Sequence, residues 1–124
     1  MPHLYFYRFL MIVDKFETIC KTIGLDITYK TSDVIVASIP FRICDNTNYY
    51  RLCVYKNNKL FVYDQSGSIQ CKNIPEFLKV LKNEVQILMS PTFSPFNCQD
   101  IFLKKFYKQY KSGIKKIELE NDFM

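Results

Sequence analysis

Residues 49–67 read YYRLCVYKNNKLFVYDQSG and have the pattern of a β-hairpin followed by a second turn. Asn57 and Asn58 separate two strand-like runs, and asparagine tolerates the positive φ angles that a two-residue hairpin turn requires. The flanking runs are rich in β-branched and aromatic residues, which suit a pleated surface. The sequence therefore predicts two paired antiparallel strands, with a third, short strand over residues 68–71 behind the second turn.

Side-chain alternation along the hairpin predicts which residues share a face of the sheet. Successive side chains of a strand point to opposite faces. Leu52 and Val54 are therefore expected on one face of the sheet. Arg51, Cys53 and Tyr55 are expected on the other, which predicts a strand with one buried face.

A helix is predicted over residues 14–23. Asp14 and Glu17 have the spacing of a capping box, apolar residues recur at helical intervals, and Gly24 is suited to the C-cap. The preceding residues 1–13, MPHLYFYRFLMIV, fit either a strand or the start of this helix. They are expected either to pack on the core or to form a separate apolar segment that contacts a partner.

A second hairpin is predicted after this helix. Residues 26–30 and 34–39 are both rich in β-branched residues, and a polar turn separates them. Pro40 is expected to end the second strand or to place it at an edge, because proline has no N–H to donate to a sheet. Residues 41–48 are predicted to form a polar loop.

Two further helices are predicted toward the C-terminus. Asn73 begins a capping-box sequence, and an apolar stripe recurs at helical spacing across residues 74–88. A third helix is predicted over residues 98–111, with Gly113 after its end. Residues 114–124 are expected to form a short strand or a loose tail with an acidic end.

Taken in order, these elements predict one α+β domain over residues 1–124. The expected architecture is an N-terminal helix, an antiparallel four- to five-stranded meander sheet, and two C-terminal helices packed on one face of the sheet. In this element order, residues 14–112 resemble RWD domains, relatives of the ubiquitin-conjugating fold that serve as docking modules. The resemblance implies a docking role, and the chain lacks both the Tyr-Pro-containing motif usual in those domains and a catalytic cysteine motif.

The composition argues against several classes of protein. Five cysteines, an odd number without CxxC or Cys/His spacing, argue against a disulfide framework or a zinc site. They predict reduced thiols in the cytoplasm. No apolar run approaches the about 20 residues that a membrane-spanning helix needs, so no membrane partner is expected.

No catalytic or cofactor-binding motif is recognisable, so the protein is not expected to be an enzyme, and no metal or cofactor is predicted. The single histidine, His3, lies beside the N-terminus, and the three glycines are too far apart for a phosphate-binding loop. The remaining enzymatic alternative is a small metal-dependent hydrolase or nuclease that uses aspartates of loops and strand ends. Those aspartates are Asp26, Asp33, Asp45 and Asp64.

The strongest charged feature is the predicted third helix with the residues that follow it. Residues 98–116 contain six lysines and one acidic residue, within a chain of net charge +5. Helical spacing brings lysines into one sector, which suits phosphates or an acidic protein surface, but a merely solvated helix face also has lysines. The candidate binding residues are Lys104, Lys105, Lys108, Lys111, Lys115 and Lys116.

A second candidate surface lies on the hairpin, where tyrosine and arginine are concentrated. Both residue types are enriched in protein interfaces, although tyrosines also form half-buried cross-strand pairs. The candidate interface residues are Tyr49, Tyr50, Arg51, Tyr55 and Tyr63.

The sequence thus favours a small, non-enzymatic protein that binds another protein through the hairpin tyrosines or the basic helix. Its size and composition are typical of accessory factors or inhibitors from phages and viruses that act on a host protein. A nucleic-acid-binding module that uses the basic helix is the alternative. Only three arginines occur, which disfavours base-specific recognition of DNA. Either function is compatible with a homodimer.

Overall fold

A computed structural model describes residues 13–43, 45–64, 66–90 and 101–120 of the chain. Helix α1 covers residues 13–22. The elements after it are β1 (Asp26–Lys30), β2 (Val34–Ile43), β3 (Asn46–Lys56), β4 (Lys59–Asp64), β5 (Gly67–Cys71), α2 (Ile74–Leu88) and α3 (Ile101–Glu120). The strands form one antiparallel sheet in the order β1-β2-β3-β4-β5. This order confirms the predicted α+β meander.

The hairpin of β3 and β4 forms around the predicted turn. Asn57 and Asn58 have φ angles of 50° and 68°, and a two-residue primed turn requires positive φ at both positions. The hydroxyl of Tyr55 donates a hydrogen bond to Oδ1 of Asn58 at 2.9 Å. Turn chemistry that is local in sequence therefore sets the register of this strand pair.

A β-bulge in β3 determines which of its side chains face the helices. Cys53 and Arg51 pair with consecutive residues of β2, so Leu52 is an extra residue in β3. Leu52, Cys53 and Tyr55 belong to the core, whereas Val54 and Arg51 line the opposite face. The prediction that Leu52 and Val54 share a face is wrong, because unbroken alternation does not account for the inserted residue.

β2 is longer than the sequence predicts. It continues through Pro40, and β3 begins at Asn46, so the prediction of a polar loop over residues 41–48 is wrong. β1 pairs with β2 only as far as Ser38. At Pro40, β2 therefore has β3 on one side and no pairing with β1 on the other. Such an edge-like position tolerates proline, which has no N–H to donate.

α3 is also longer than predicted, because Gly113 lies inside it and does not end it. A Cβ atom at Gly113 would lie 2.3 Å from the carbonyl oxygen of Thr22, so glycine permits a close crossing of α3 and α1. Ile114 and Ile117 are buried and continue the apolar face of the helix. The prediction of a strand or loose tail is therefore wrong for residues 114–120. Residues 98–100 and 121–124 lie outside the described residues.

The predicted cap is confirmed at the end of α1 and is wrong at its start. Gly24 has a φ of 89°, and the N–H of Leu25 donates to the carbonyl of Cys20 at 2.9 Å, as in a Schellman cap. Residue 13 is already helical, so Asp14 is not the N-cap. The carboxylate of Glu17 instead contacts Nζ of Lys30 in β1 at 2.6 Å.

α2 has the predicted cap and the predicted apolar stripe. Oδ1 of Asn73 accepts a hydrogen bond from the N–H of Glu76 at 2.9 Å. The apolar residues of the predicted stripe are all buried: Ile74, Phe77, Leu78, Leu81, Val85 and Leu88.

The helices pack on one face of the sheet. The ring of Phe16 in α1 lies 6.2 Å from that of Tyr55 in β3 and 5.6 Å from that of Phe77 in α2. α3 packs on β2, and α2 packs on β4 and β5. No helix of the described ranges covers the opposite face of the sheet, which we call the open face.

Candidate functional site

The open face contains a shallow depression lined by residues of strands β1 to β4. Three valines and two hydroxyl side chains form part of its lining. Its large side chains are three tyrosines and two cationic residues: Tyr29, Tyr49, Tyr63, Arg51 and Lys56. The lining includes no carboxylate, so the depression is aromatic and positively charged.

Aromatic side chains of the open face are both exposed to solvent and in contact with a cation. The guanidinium carbon of Arg51 lies 5.4 Å from the ring centroid of Tyr63, a cation–π contact between β3 and β4. The side chains of Tyr29 and Tyr49 are 55% and 51% exposed. Exposed tyrosine rings therefore line the same depression as the Arg51 guanidinium group, which its contact with Tyr63 orients.

The structure brings only three of the five candidate interface residues together. Tyr49, Arg51 and Tyr63 line the open face. Tyr55 is 1% exposed and packs beneath α1, so it belongs to the core and is removed from the candidate surface. Tyr50 packs against the same core, and burial raises the pKa of both hydroxyls.

Tyr29 is a member of the open face that the sequence analysis missed. A bulge in β1 falls between Ile27 and Tyr29, and the hydroxyls of Thr28 and Ser38 lie 3.0 Å apart on the same side as Tyr29. The available signal was an aromatic side chain in a strand next to the central hairpin. The hairpin pattern alone does not assign Tyr29 to this surface, because β1 reaches it only through the pairing of β1 with β2.

The candidate lysines all lie on α3, and their side chains are exposed. Nζ of Lys111 lies 4.8 Å from the ring centroid of Tyr107, which stacks on Tyr110 at 6.0 Å. Burial raises the pKa of Tyr110 to about 12. Tyr110 therefore anchors the helix to the core, whereas the lysines extend into solvent.

The aspartates of loops and strand ends are the candidate metal ligands of the enzymatic alternative. Within the described ranges no group of three or more His, Cys, Asp or Glu residues could hold a metal ion. Oδ1 of Asp64 accepts hydrogen bonds from the N–H and hydroxyl of Ser66 at 2.9 and 3.0 Å, as a turn residue does. His3 lies outside the described residues.

Glu84 of α2 is a charged residue that is buried. It is 5% exposed, and its Oε1 has no hydrogen-bond partner among the residues that the structure describes. Burial raises the pKa of Glu84, and the charge of Asp64 raises it further. Both effects favour the protonated carboxyl.

Three cysteines are free and buried, as predicted for reduced thiols: Cys20, Cys53 and Cys71. The Sγ atoms of Cys20 and Cys53 lie 3.7 Å apart between α1 and β3. Burial raises the pKa of Cys20 well above its ordinary value, and that of Cys71 to about 11. Such thiols are poor nucleophiles near neutral pH. Cys44 and Cys98 lie outside the described residues.

Comparison with known proteins adds no identity: no protein-family model, curated protein or solved structure matches this chain. The likeness to RWD domains therefore rests on element order alone. Among the described helices, none combines the length and apolar character needed to cross a membrane.

Proposed function

We propose that this protein is a non-enzymatic binding protein that docks against another protein through the open face of its sheet. The observation that carries the proposal is the depression on that face, where Tyr29 and Tyr49 are more than half exposed beside Arg51. A merely solvated face of an antiparallel sheet is usually polar. Here the exposed side chains of Tyr29 and Tyr49 add aromatic surface to that face.

The chemistry of the open face supports an acidic protein partner. Tyrosine gives a large contact area at a small cost in side-chain entropy, and tyrosine and arginine are frequent energetic centres of interfaces. The contact with Tyr63 holds the Arg51 guanidinium before a partner arrives. Arg51 and Lys56 are uncompensated by any carboxylate of the lining, so a complementary surface carries Asp or Glu.

The biological setting is part of the same proposal. A chain of 124 residues with one domain suits an accessory factor or inhibitor of a phage or virus that acts on a host protein. The free thiols of Cys20, Cys53 and Cys71 support a reducing compartment such as the cytoplasm.

The test compares the wild-type chain with Tyr49→Ser/Arg51→Glu as immobilised baits in a lysate of host cells. The matched control is Lys79→Glu, which makes the same charge change as Arg51→Glu on an exposed residue of α2, away from the open face. A protein retained by the wild type and by the control is then purified, and its dissociation constants are measured. We expect the double variant to bind it at least about 30-fold more weakly, as for loss of an energetic centre.

Two results would refute the proposed function. One is a captured protein that binds the double variant as tightly as the wild type. The other is the absence of any protein that the wild type retains and the double variant does not. Circular dichroism of the three chains checks that each retains its fold.

A further inference from the structure

α3 has a lysine row, made of Lys104, Lys108, Lys111 and Lys115. At about 100° per residue these positions fall within a sector of about 60°, and they span about 16 Å along the helix axis. The sector lies opposite the buried side of α3, which packs on β2. Lys105 and Lys116 are exposed along one flank of the row.

The lysine row is not neutralised by carboxylates. None of its members forms an ion pair with a described residue, and the acidic residues of α3 lie only in its last turn. One of them, Glu118, pairs with Lys82 of α2 at 2.8 Å. A helix face that serves solubility usually mixes both signs of charge.

The spacing of the row is unfavourable for the isolated helix. Lys104 and Lys108, and likewise Lys111 and Lys115, are like-charge pairs four residues apart, which destabilise a helix. The helix dipole favours cations only within the last turn, and Lys104 and Lys108 lie nearer the start of α3. A polyanion bound along the row would remove this repulsion.

We propose that α3 binds the phosphate backbone of a nucleic acid through the lysine row. Duplex DNA has one negative charge per about 1.7 Å of axis, so a row of about 16 Å reaches a phosphate for each lysine. Lysine contacts phosphate as a point charge, and a phosphate contact carries no sequence information. The described part of α3 contains no arginine, so binding is independent of base sequence.

The lysine row lies on a helix that is packed firmly against the rest of the fold, as a preformed binding site requires. Phe106 and Tyr110 are buried on the opposite side of α3. Gly113 fixes the helix against Thr22 of α1, and Nε2 of Gln109 donates to the carbonyl of Thr22 at 3.1 Å. The four lysines therefore keep their spacing before a ligand arrives.

Fluorescence anisotropy with mixed-sequence single-stranded DNA, duplex DNA and RNA of about 20 nucleotides tests the proposal. Four phosphate contacts predict that duplex affinity falls about 150-fold between about 50 and 200 mM salt. The same contacts on a single strand predict a fall of about 50-fold. Lys104→Glu/Lys108→Glu/Lys111→Glu should weaken binding at low salt by at least about 100-fold, because it reverses three of the four charges.

The matched control is Lys59→Glu/Lys72→Glu/Lys79→Glu, which makes the same total charge change at exposed residues outside α3. It is expected to bind within about 10-fold of the wild type, because only long-range charge differs. Lys104→Gln/Lys108→Gln/Lys111→Gln removes the charges without reversing them, and it replaces the Glu variant if circular dichroism shows that the latter is unfolded.

Either of two outcomes overturns the proposal. Equal weakening by the α3 variant and the control would assign binding to the net charge of +5 and not to the row. No binding of any of the three nucleic acids at about 50 mM salt would exclude phosphate binding. In that case an acidic protein surface would be the partner that remains for the row.

Discussion

Replacing Gly113 with alanine tests the close crossing of α3 over α1. Gly113 lies in the interior of α3, where alanine by itself would favour the helix by about 1 kcal/mol. A Cβ atom there would lie 2.3 Å from the carbonyl oxygen of Thr22 and 2.9 Å from Cα of Ile23. Both are backbone atoms, so neither can rotate away as the end of a flexible side chain can.

The clash is expected to outweigh the gain in helix propensity. Ordinary van der Waals contact begins at 3.4 Å, so the two backbones would have to separate by about 1 Å, which forfeits about a quarter to a half of each dispersion contact along the crossing. Overpacking costs about 3 kcal/mol at the upper end of its usual range, which applies to a contact between backbones. The net loss in free energy of unfolding is then about 2 kcal/mol, or about 8 °C in Tm for a chain of this length.

Urea denaturation followed by far-UV circular dichroism measures this loss. Ser112→Ala is the matched control, because Ser112 is the exposed neighbour of Gly113 on the same helix and alanine should add a few tenths of a kcal/mol there. A Gly113→Ala protein that is more stable than the wild type by about 1 kcal/mol would show helix propensity alone. That result would refute the close crossing.

Two further predictions concern α2. Asn73→Ala removes the side-chain acceptor for the N–H of Glu76 and should reduce the free energy of unfolding by about 1 kcal/mol. The control is Asn83→Ala, at an exposed interior position of α2, which should not reduce the free energy of unfolding. Because the pKa of Glu84 is raised, the native state holds the carboxyl proton more tightly than the unfolded chain does. The free energy of unfolding therefore falls as the pH rises from about 4.3, the ordinary pKa of Glu, through the raised pKa of the native state. Glu84→Gln should therefore stabilise the protein at about pH 7 and have little effect at about pH 4, and equal effects in urea denaturation at both pH values would contradict this assignment.

Features encoded within a few residues could be predicted from the sequence. The Asn57-Asn58 turn and the Asn73 cap each depend on one side chain and the backbone beside it. The same holds for Gly24, whose positive φ closes α1. Such signals give the element order and hence the meander, because consecutive antiparallel strands joined by short turns pair with their neighbours.

The errors arise where a residue's role depends on a distant part of the chain. Gly113 has the local signature of a helix end, but its actual role is set by Thr22, which lies on another helix. Pro40 is tolerated within β2 because β1 stops pairing before it. Neither neighbour can be inferred from residues close in sequence.

The candidate surface shows the same limit at the level of single side chains. Strict alternation of side chains along β3 fails at Leu52. The inserted residue reverses the alternation, so residues before it point to the opposite face from the one that unbroken alternation predicts. Tyr55 and Tyr49 both look like interface residues in the sequence, yet one is 1% and the other 51% exposed. The concentration of tyrosine therefore identifies the hairpin strands, whereas the face on which each tyrosine lies depends on the strand register.

The two proposed surfaces lie on different layers of the fold, and this separates their tests. The open face belongs to β1 to β4, whereas the lysine row belongs to α3 on the helical side of the sheet. They share no residue, so a charge change in the lysine row should leave protein binding intact, and Tyr49→Ser/Arg51→Glu should leave phosphate binding intact. If both proposals hold, a bound protein and a bound nucleic acid occupy opposite sides of one small domain, and each should bind in the presence of the other with unchanged affinity unless the two ligands themselves make contact.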